Sequence, residues 1–130
     1  MIIKINLNNV SINSRIDFLD EKSNLLYWSI YDFSYKRRMR LFDNKDNELG
    51  YVNLKIESLN NVETIYDKQD NKLDEFDESI LKGDIKSYDF NVEDVVFTKK
   101  DDELLIQFED DKVYKAILYA LISIDKNEKE

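Results

Sequence analysis

Three side-chain groupings in this chain have types and spacings that could do chemistry: aspartates gathered in short polar segments, adjacent carboxylates, and one basic run. Asp43, Asp46 and Asn47 lie close together, as do Asp67, Asp70 and Asn71, a composition that suits calcium. An EF-hand, however, needs oxygen ligands at its first, third and fifth positions, glycine at the sixth and glutamate at the twelfth. Counted from Asp43, those positions hold Asp43, Lys45, Asn47, Glu48 and Leu54. The third, sixth and twelfth fail, so the segment reads as a hairpin turn whose Asp and Asn side chains bond nearby backbone. Adjacent acids recur at Asp74-Glu75, Asp101-Asp102-Glu103 and Glu109-Asp110-Asp111. Acid–base catalysis needs two carboxyl groups in different environments of one pocket. These acids fall on turns and at a helix start, where solvation or capping accounts for them.

The basic run is Lys36-Arg37-Arg38-Met39-Arg40. In a strand Lys36, Arg38 and Arg40 share one face at a spacing of about 6.8 Å, while Met39 and Leu41 point inward with Arg37 on their side. That is a candidate site for a phosphate or an acidic partner. The competing reading is cross-strand pairing with the many acids on neighbouring strands, and the net charge of -9 favours it.

What the chain lacks narrows the chemistry further. It has no cysteine and no histidine, hence no disulfide, no thiol nucleophile, no thiolate zinc site and no imidazole base. It has no proline and two glycines, Gly50 and Gly83, too few for a glycine-rich phosphate loop. No catalytic residue, metal or cofactor is assigned. A surface basic throughout, of the kind that binds nucleic acid or anionic membrane, does not fit a charge of -9. An acidic chain suits solubility or a basic partner. Met1 to Asn6 alternates without a signal-like apolar stretch, and Val113 to Ile124 is too short to span a bilayer. A cytoplasmic location is the expectation.

The elements that must position these residues show in the patterning. At 130 residues the chain is one domain with one core, and 42% of it is hydrophobic. Period-two alternation dominates from about residue 2 to 109, as in Ile3, Ile5 and Leu7 against Lys4, Asn6 and Asn8. Roughly ten short strands are expected from the turn spacing. A repeat organises the first half: Phe18-Leu19-Asp20, Leu41-Phe42-Asp43 and Ile65-Tyr66-Asp67 are each followed by three residues, an Asn, one residue and a Leu. Each copy reads as strand, polar turn, strand, and the copies fall about 24 residues apart. The result is a β-meander, which closes most naturally into a barrel that removes exposed edges. Val113 to Ile124 is apolar almost all round, so a buried helix over about 111–125 is predicted, capped by Asp110 and Asp111. Tyr27, Trp28, Tyr31, Phe33 and Tyr35 crowd one segment and read mostly as core, with Tyr27-Trp28 as candidate interface anchors.

With these elements in order, the chain resembles the LURP-one-related proteins, which share the tubby-like fold with tubby C-terminal domains and phospholipid scramblases. Leu41-Phe42-Asp43-Asn44-Lys45-Asp46-Asn47-Glu48-Leu49 resembles the family phrase "YDENGNxL". Leu54-Lys55-Ile56-Glu57-Ser58-Leu59 stands where the family has a strand "xQKxxSL", and Lys82 to Phe90 where it has "xGDFWSxDF". Phe97-Thr98-Lys99-Lys100 resembles "ISKK", and Ala116 to Asp125 the closing helix that ends in "AID". The resemblance implies a mainly β, tubby-like antiparallel barrel around a buried C-terminal helix. It also raises phospholipid as a ligand, since related tubby domains bind phosphoinositide headgroups on a basic surface. Two departures imply a reduced strand number: a strand pair missing between Phe76 and Ile80, and a shortened segment at Asp101-Asp102-Glu103. The functional expectation is a binding or scaffold module without catalysis, engaging a protein partner or a lipid-like ligand. The runner-up is a small acidic inhibitor or immunity-type protein that masks a basic toxin or nucleic-acid enzyme. Function is expected on the outer surface or at the edge near Asp77 to Lys82, with no deep polar cavity of converging ionisable groups.

Overall fold

The computed structural model describes residues 1–8, 10–35, 37–56 and 62–128. Eleven strands form a single antiparallel sheet: β1 (Ile2–Asn6), β2 (Ile16–Leu19), β3 (Leu25–Tyr31), β4 (Arg38–Asp43), β5 (Glu48–Asn53), β6 (Thr64–Asp67), β7 (Lys72–Glu75), β8 (Leu81–Asp84), β9 (Asp89–Val92), β10 (Val95–Lys100) and β11 (Glu103–Gln107). One helix, α1 (Val113–Glu128), follows. The spatial order is β7-β6-β5-β4-β3-β2-β1-β11-β10-β9-β8. The first and last strands therefore pair, Ile3 opposite Ile106 and Ile5 opposite Leu104, and the two free edges are consecutive in sequence.

The repeat folds three times in one way. In each copy the Asp carboxylate closes the turn: Asp43 Oδ1 accepts from the backbone N–H of Lys45 at 2.8 Å and of Asn47 at 2.9 Å. Asn47 Nδ2 donates to Asp43 Oδ2 at 3.2 Å. Asp20 and Asp67 make the same bonds to their own turns. The residue before each Asn takes a left-handed φ, 67° at Ser23, 65° at Asp46 and 66° at Asp70. The repeat's Leu is then the extra residue of a β-bulge, because Leu26, Leu49 and Leu73 are each skipped in the pairing.

Alternation puts Ile3, Ile5, Phe18, Met39, Leu41, Val52, Ile65, Phe97, Leu104 and Ile106 inside, each at most 1% exposed. They surround α1, where every residue from Ala116 to Asp125 is buried. A helix buried on all faces needs cover on all faces, and the sheet supplies it by curling round. Ala116, Ala120 and Ser123 are fully buried and let the strands approach closely. Asp110 and Asp111 do not cap α1. They lie in a 3-10 turn before it, and the capping position is Glu109, whose side chain makes no capping bond.

The barrel is not closed by strand pairing. β7 and β8 are the edges, and no hydrogen bonds join them among the described residues. The gap falls at the link 76–80, and α1 bridges it with side chains. Tyr119 Oη accepts from the Asp77 backbone N–H at 2.8 Å and packs against Phe76. Lys115 reaches Asp74 of β7 at 3.8 Å and Glu93 beyond β9 at 2.6 Å. Burial pulls the Lys115 ammonium down, but its bond to Glu93 and the charge of Asp74 outweigh that and hold it above its ordinary value. The strand expected over Leu54 to Leu59 does not form at Leu54 to Ile56, where the buried Leu54 makes a backbone bond to the Arg37 carbonyl at 2.7 Å just past the end of β5; residues 57–61 lie outside the described range. Among the described residues no helix is long and apolar enough to cross a membrane.

Candidate binding face

β4 carries the basic run. Its alternation sends Met39 and Leu41 into the core and Arg38 and Arg40 outward on one face. Lys36, the third member of the proposed patch, lies outside the described residues. Arg37 stands apart: it precedes the strand with φ of 62°, and its guanidinium turns inward to pair with Asp125 of α1, which is 3% exposed. A buried acid near the end of α1 is thus held by the residue that leads into β4.

Arg40 is neutralised across the strand pair. Its Nε and a terminal nitrogen each donate to Glu48 of β5 at 3.0 Å, a two-pronged bond. That bond is the first cause of the raised Arg40 pKa. Arg38 has a different environment. Its guanidinium carbon lies 4.0 Å from the ring centroids of both Tyr35 and Tyr51, and its Nε donates to Asn53 Oδ1 at 3.3 Å. Tyr51 is fixed in turn, donating to Asp70 Oδ1 at 2.6 Å and stacking on Tyr66 at 5.1 Å. Burial first, then that bond to a carboxylate, push the Tyr51 hydroxyl up to about 12.

The sequence offered Trp28 alone of the outer aromatic arrangement, paired with Tyr27 as candidate interface anchors. Of the five aromatics read mostly as core, Tyr27 and Tyr31 pack against it, whereas Phe33 is 81% and Tyr35 54% exposed. Trp28 points outward, because β3 alternates and Ser29 takes the buried place beside it. Its ring stacks on Phe42 at 4.1 Å, and its Nε1 donates to Asp46 Oδ1 at 3.0 Å. Arg15 lies over Trp28 at 4.4 Å and Arg40 over Phe42 at 4.9 Å. Rings and guanidiniums thus alternate across the outside of β3 to β6. The signal was hidden because β3, Leu25-Leu26-Tyr27-Trp28-Ser29-Ile30-Tyr31, is apolar on both faces.

Elsewhere the aspartates of the repeat turns are engaged in local bonds. The Asp20, Asp43 and Asp67 carboxyls are held below the ordinary range, first by the backbone N–H groups of Asn24, Asn47 and Asn71. A solvent-open cleft of about 280 Å³ beside the 76–80 link gathers Glu63, Asp77 and Glu78 near Lys55 and Lys126. That is more charge in one place than the sequence implied. The Asp77 carboxylate is used there in closing its own turn, accepting from Ser79 N–H and Oγ–H at 3.0 and 2.6 Å.

No family model matches the chain, and no curated protein does. The X-ray structure of a protein from Arabidopsis thaliana matches it with a TM-score of 0.68, over 97% of this chain and 91% of that one, at 16% identity. At that identity the likeness shows the fold alone. The chain shares with that plant protein a mainly β fold, here one antiparallel sheet of eleven strands with a C-terminal helix.

Proposed function

We propose that the chain is a non-enzymatic binding module of the tubby-like, LURP-one-related kind, and that it engages a protein partner through the outside of β3 to β6. One observation carries this reading. The helix fills the interior, while Trp28, Arg38, Tyr51 and Tyr66 lie half-buried along the outer face, with the buried Phe42 ring stacked on Trp28. Trp, Tyr and Arg dominate the energetics of protein interfaces because they bury much area at little entropic cost. The absence of His and Cys and the solvation of the lowered carboxyls weigh against catalysis.

The test is site-directed photo-crosslinking in cells. A photoreactive phenylalanine analogue replaces Tyr66, with Thr98 on the distant β10 as control. Protein adducts at 66 but not at 98, lost when Tyr51→Ala is added, are expected. Equal labelling at both positions, or adducts to lipid alone, contradicts the reading.

A second reading has its own support. In an antiparallel meander the β2–β3, β4–β5 and β6–β7 turns share one end of the sheet. That end carries Asp20, Asp43 and Asp67, together with Asp94 and Asp110 near the start of α1. An acidic end of this kind suits an inhibitor or immunity-type protein that covers a basic surface. Adducts from a photoreactive residue at Lys68, and not at Tyr66, would favour it.

A further inference from the structure

The chain has four arginines, Arg15, Arg37, Arg38 and Arg40. Three are matched to carboxylates: Arg15 to Asp17, Arg37 to Asp125 and Arg40 to Glu48. Arg38 alone has no carboxylate partner among the described residues, although it sits on the same strand face as Arg40. It is nonetheless held firmly. The Tyr35 and Tyr51 rings each lie 4.0 Å from its guanidinium carbon, and Asn53 takes its Nε–H. The two terminal nitrogens keep their donors without an acceptor among the described residues.

A guanidinium held by two rings and a hydrogen bond has already lost much of the rotamer freedom that binding would otherwise cost. Its remaining edge presents two parallel N–H donors, the spacing that fits one carboxylate. Beside it the β3–β4 loop carries Phe33, 81% exposed, and Tyr35, 54% exposed. Phe33 is braced against Tyr31 at 4.9 Å. An aromatic ring supported from behind and bare in front is an anchor for an apolar group.

We infer that Arg38 is a preset fork for a single carboxylate, and that the protein partner offers an Asp or Glu side chain next to an apolar residue that settles on Phe33 and Tyr35. This rests on the outer-face reading and names the chemistry its partner must have. A multiply charged phosphoinositide headgroup needs several converging cations. Here Arg15, Arg37 and Arg40 already have their acids, and the chain as a whole carries -9. One carboxylate asks for one fork.

The probe is a library of random peptides displayed on phage and panned against the whole chain, with binding of the selected peptides then measured. The expected selection shares an Asp or Glu within a residue or two of a large apolar side chain. Binding is expected to fall about tenfold or more in Arg38→Gln and also in Arg38→Lys, which keeps the charge but loses the fork. Phe33→Ala should weaken it too, with all three variants still folded by circular dichroism. Peptides without an acid, or affinity indifferent to Arg38→Lys, overturn the inference. Vesicle binding through phosphoinositide that depends on Arg38 also overturns it, in favour of a lipid ligand. If acid-free peptides still lose binding on Tyr66→Ala, the carboxylate fork fails while the outer-face reading stands. If no selected peptide depends on Tyr66, Tyr51 or Arg38, both fail.

Discussion

Gly50 has no room for a side chain: a Cβ there would sit 1.9 Å from the Tyr66 carbonyl oxygen and 2.9 Å from the Asp67 Cα. These are backbone atoms of the paired strand and cannot step aside alone. Gly50→Ala should therefore pry β5 from β6 and cost about 3 kcal/mol, read as a lower urea midpoint. The turn aspartates act through protons. Asp20, Asp43 and Asp67 are lowered in the folded chain and return to ordinary carboxylate values on unfolding. As pH falls below about 4, the unfolded chain takes up protons first, so the stability these groups supply is present above that point and lost below it. The thermal midpoint should drop between about pH 5 and pH 3. Asp43→Asn, which keeps an acceptor but does not titrate, should make that drop shallower. The turns were legible at this scale because Asp and Asn substitute for the glycine and proline the chain lacks. Their left-handed residues, Ser23, Asp46 and Asp70, were not, because none is the glycine or asparagine that usually marks that conformation.

Among the elements, α1 has the most at stake. Ala120 is fully exposure-free and faces the curled sheet, so Ala120→Asp places a charge where no partner waits. The expected loss is about 3–5 kcal/mol or failure to fold, measured by circular dichroism and chemical unfolding. A variant as stable as the native chain would contradict the central-helix arrangement. The helix was legible because its apolar positions run all round rather than along one stripe. Its start was displaced because Asp110 and Asp111 have the composition of a cap, yet the chain makes a 3-10 turn through them first. The irregular stretch at Leu54 to Ile56 was expected as a strand from the family resemblance; Leu54 goes to the core and donates its N–H to the Arg37 carbonyl at 2.7 Å, but no strand continues through Ile56. Alternation reports burial and says nothing about hydrogen bonding.

At the scale of the molecule the sheet is a ring cut once. Its edge strands are four residues long and largely charged, Lys72-Leu73-Asp74-Glu75 and Leu81-Lys82-Gly83-Asp84, which discourages pairing with other chains. The cut is held by Tyr119 and Lys115 rather than by a ladder. Tyr119→Phe removes the acceptor for the Asp77 N–H and should cost about 1–2 kcal/mol. Amide exchange should quicken first in β7 and β8 while the amides of β1, β11 and α1 stay slow. A uniform change across all strands would mean that the cut is not a separate point of opening. The sequence left open whether the sheet would have an open edge, since nothing in its patterning fixes the pairing of β7 and β8. The bridging of the cut was not legible either, because Lys115 and Tyr119 lie about forty residues from Asp74 and Asp77. The three matching hairpins give the cut a further consequence for how such a chain can change length. A strand–turn–strand cassette spliced in after Phe76 would enter where no ladder has to be broken, and every existing register would survive it. Gain or loss of strands in twos is therefore cheap at this one place and costly at any other, so the open edge is also the site where the fold can be lengthened by duplication or by design.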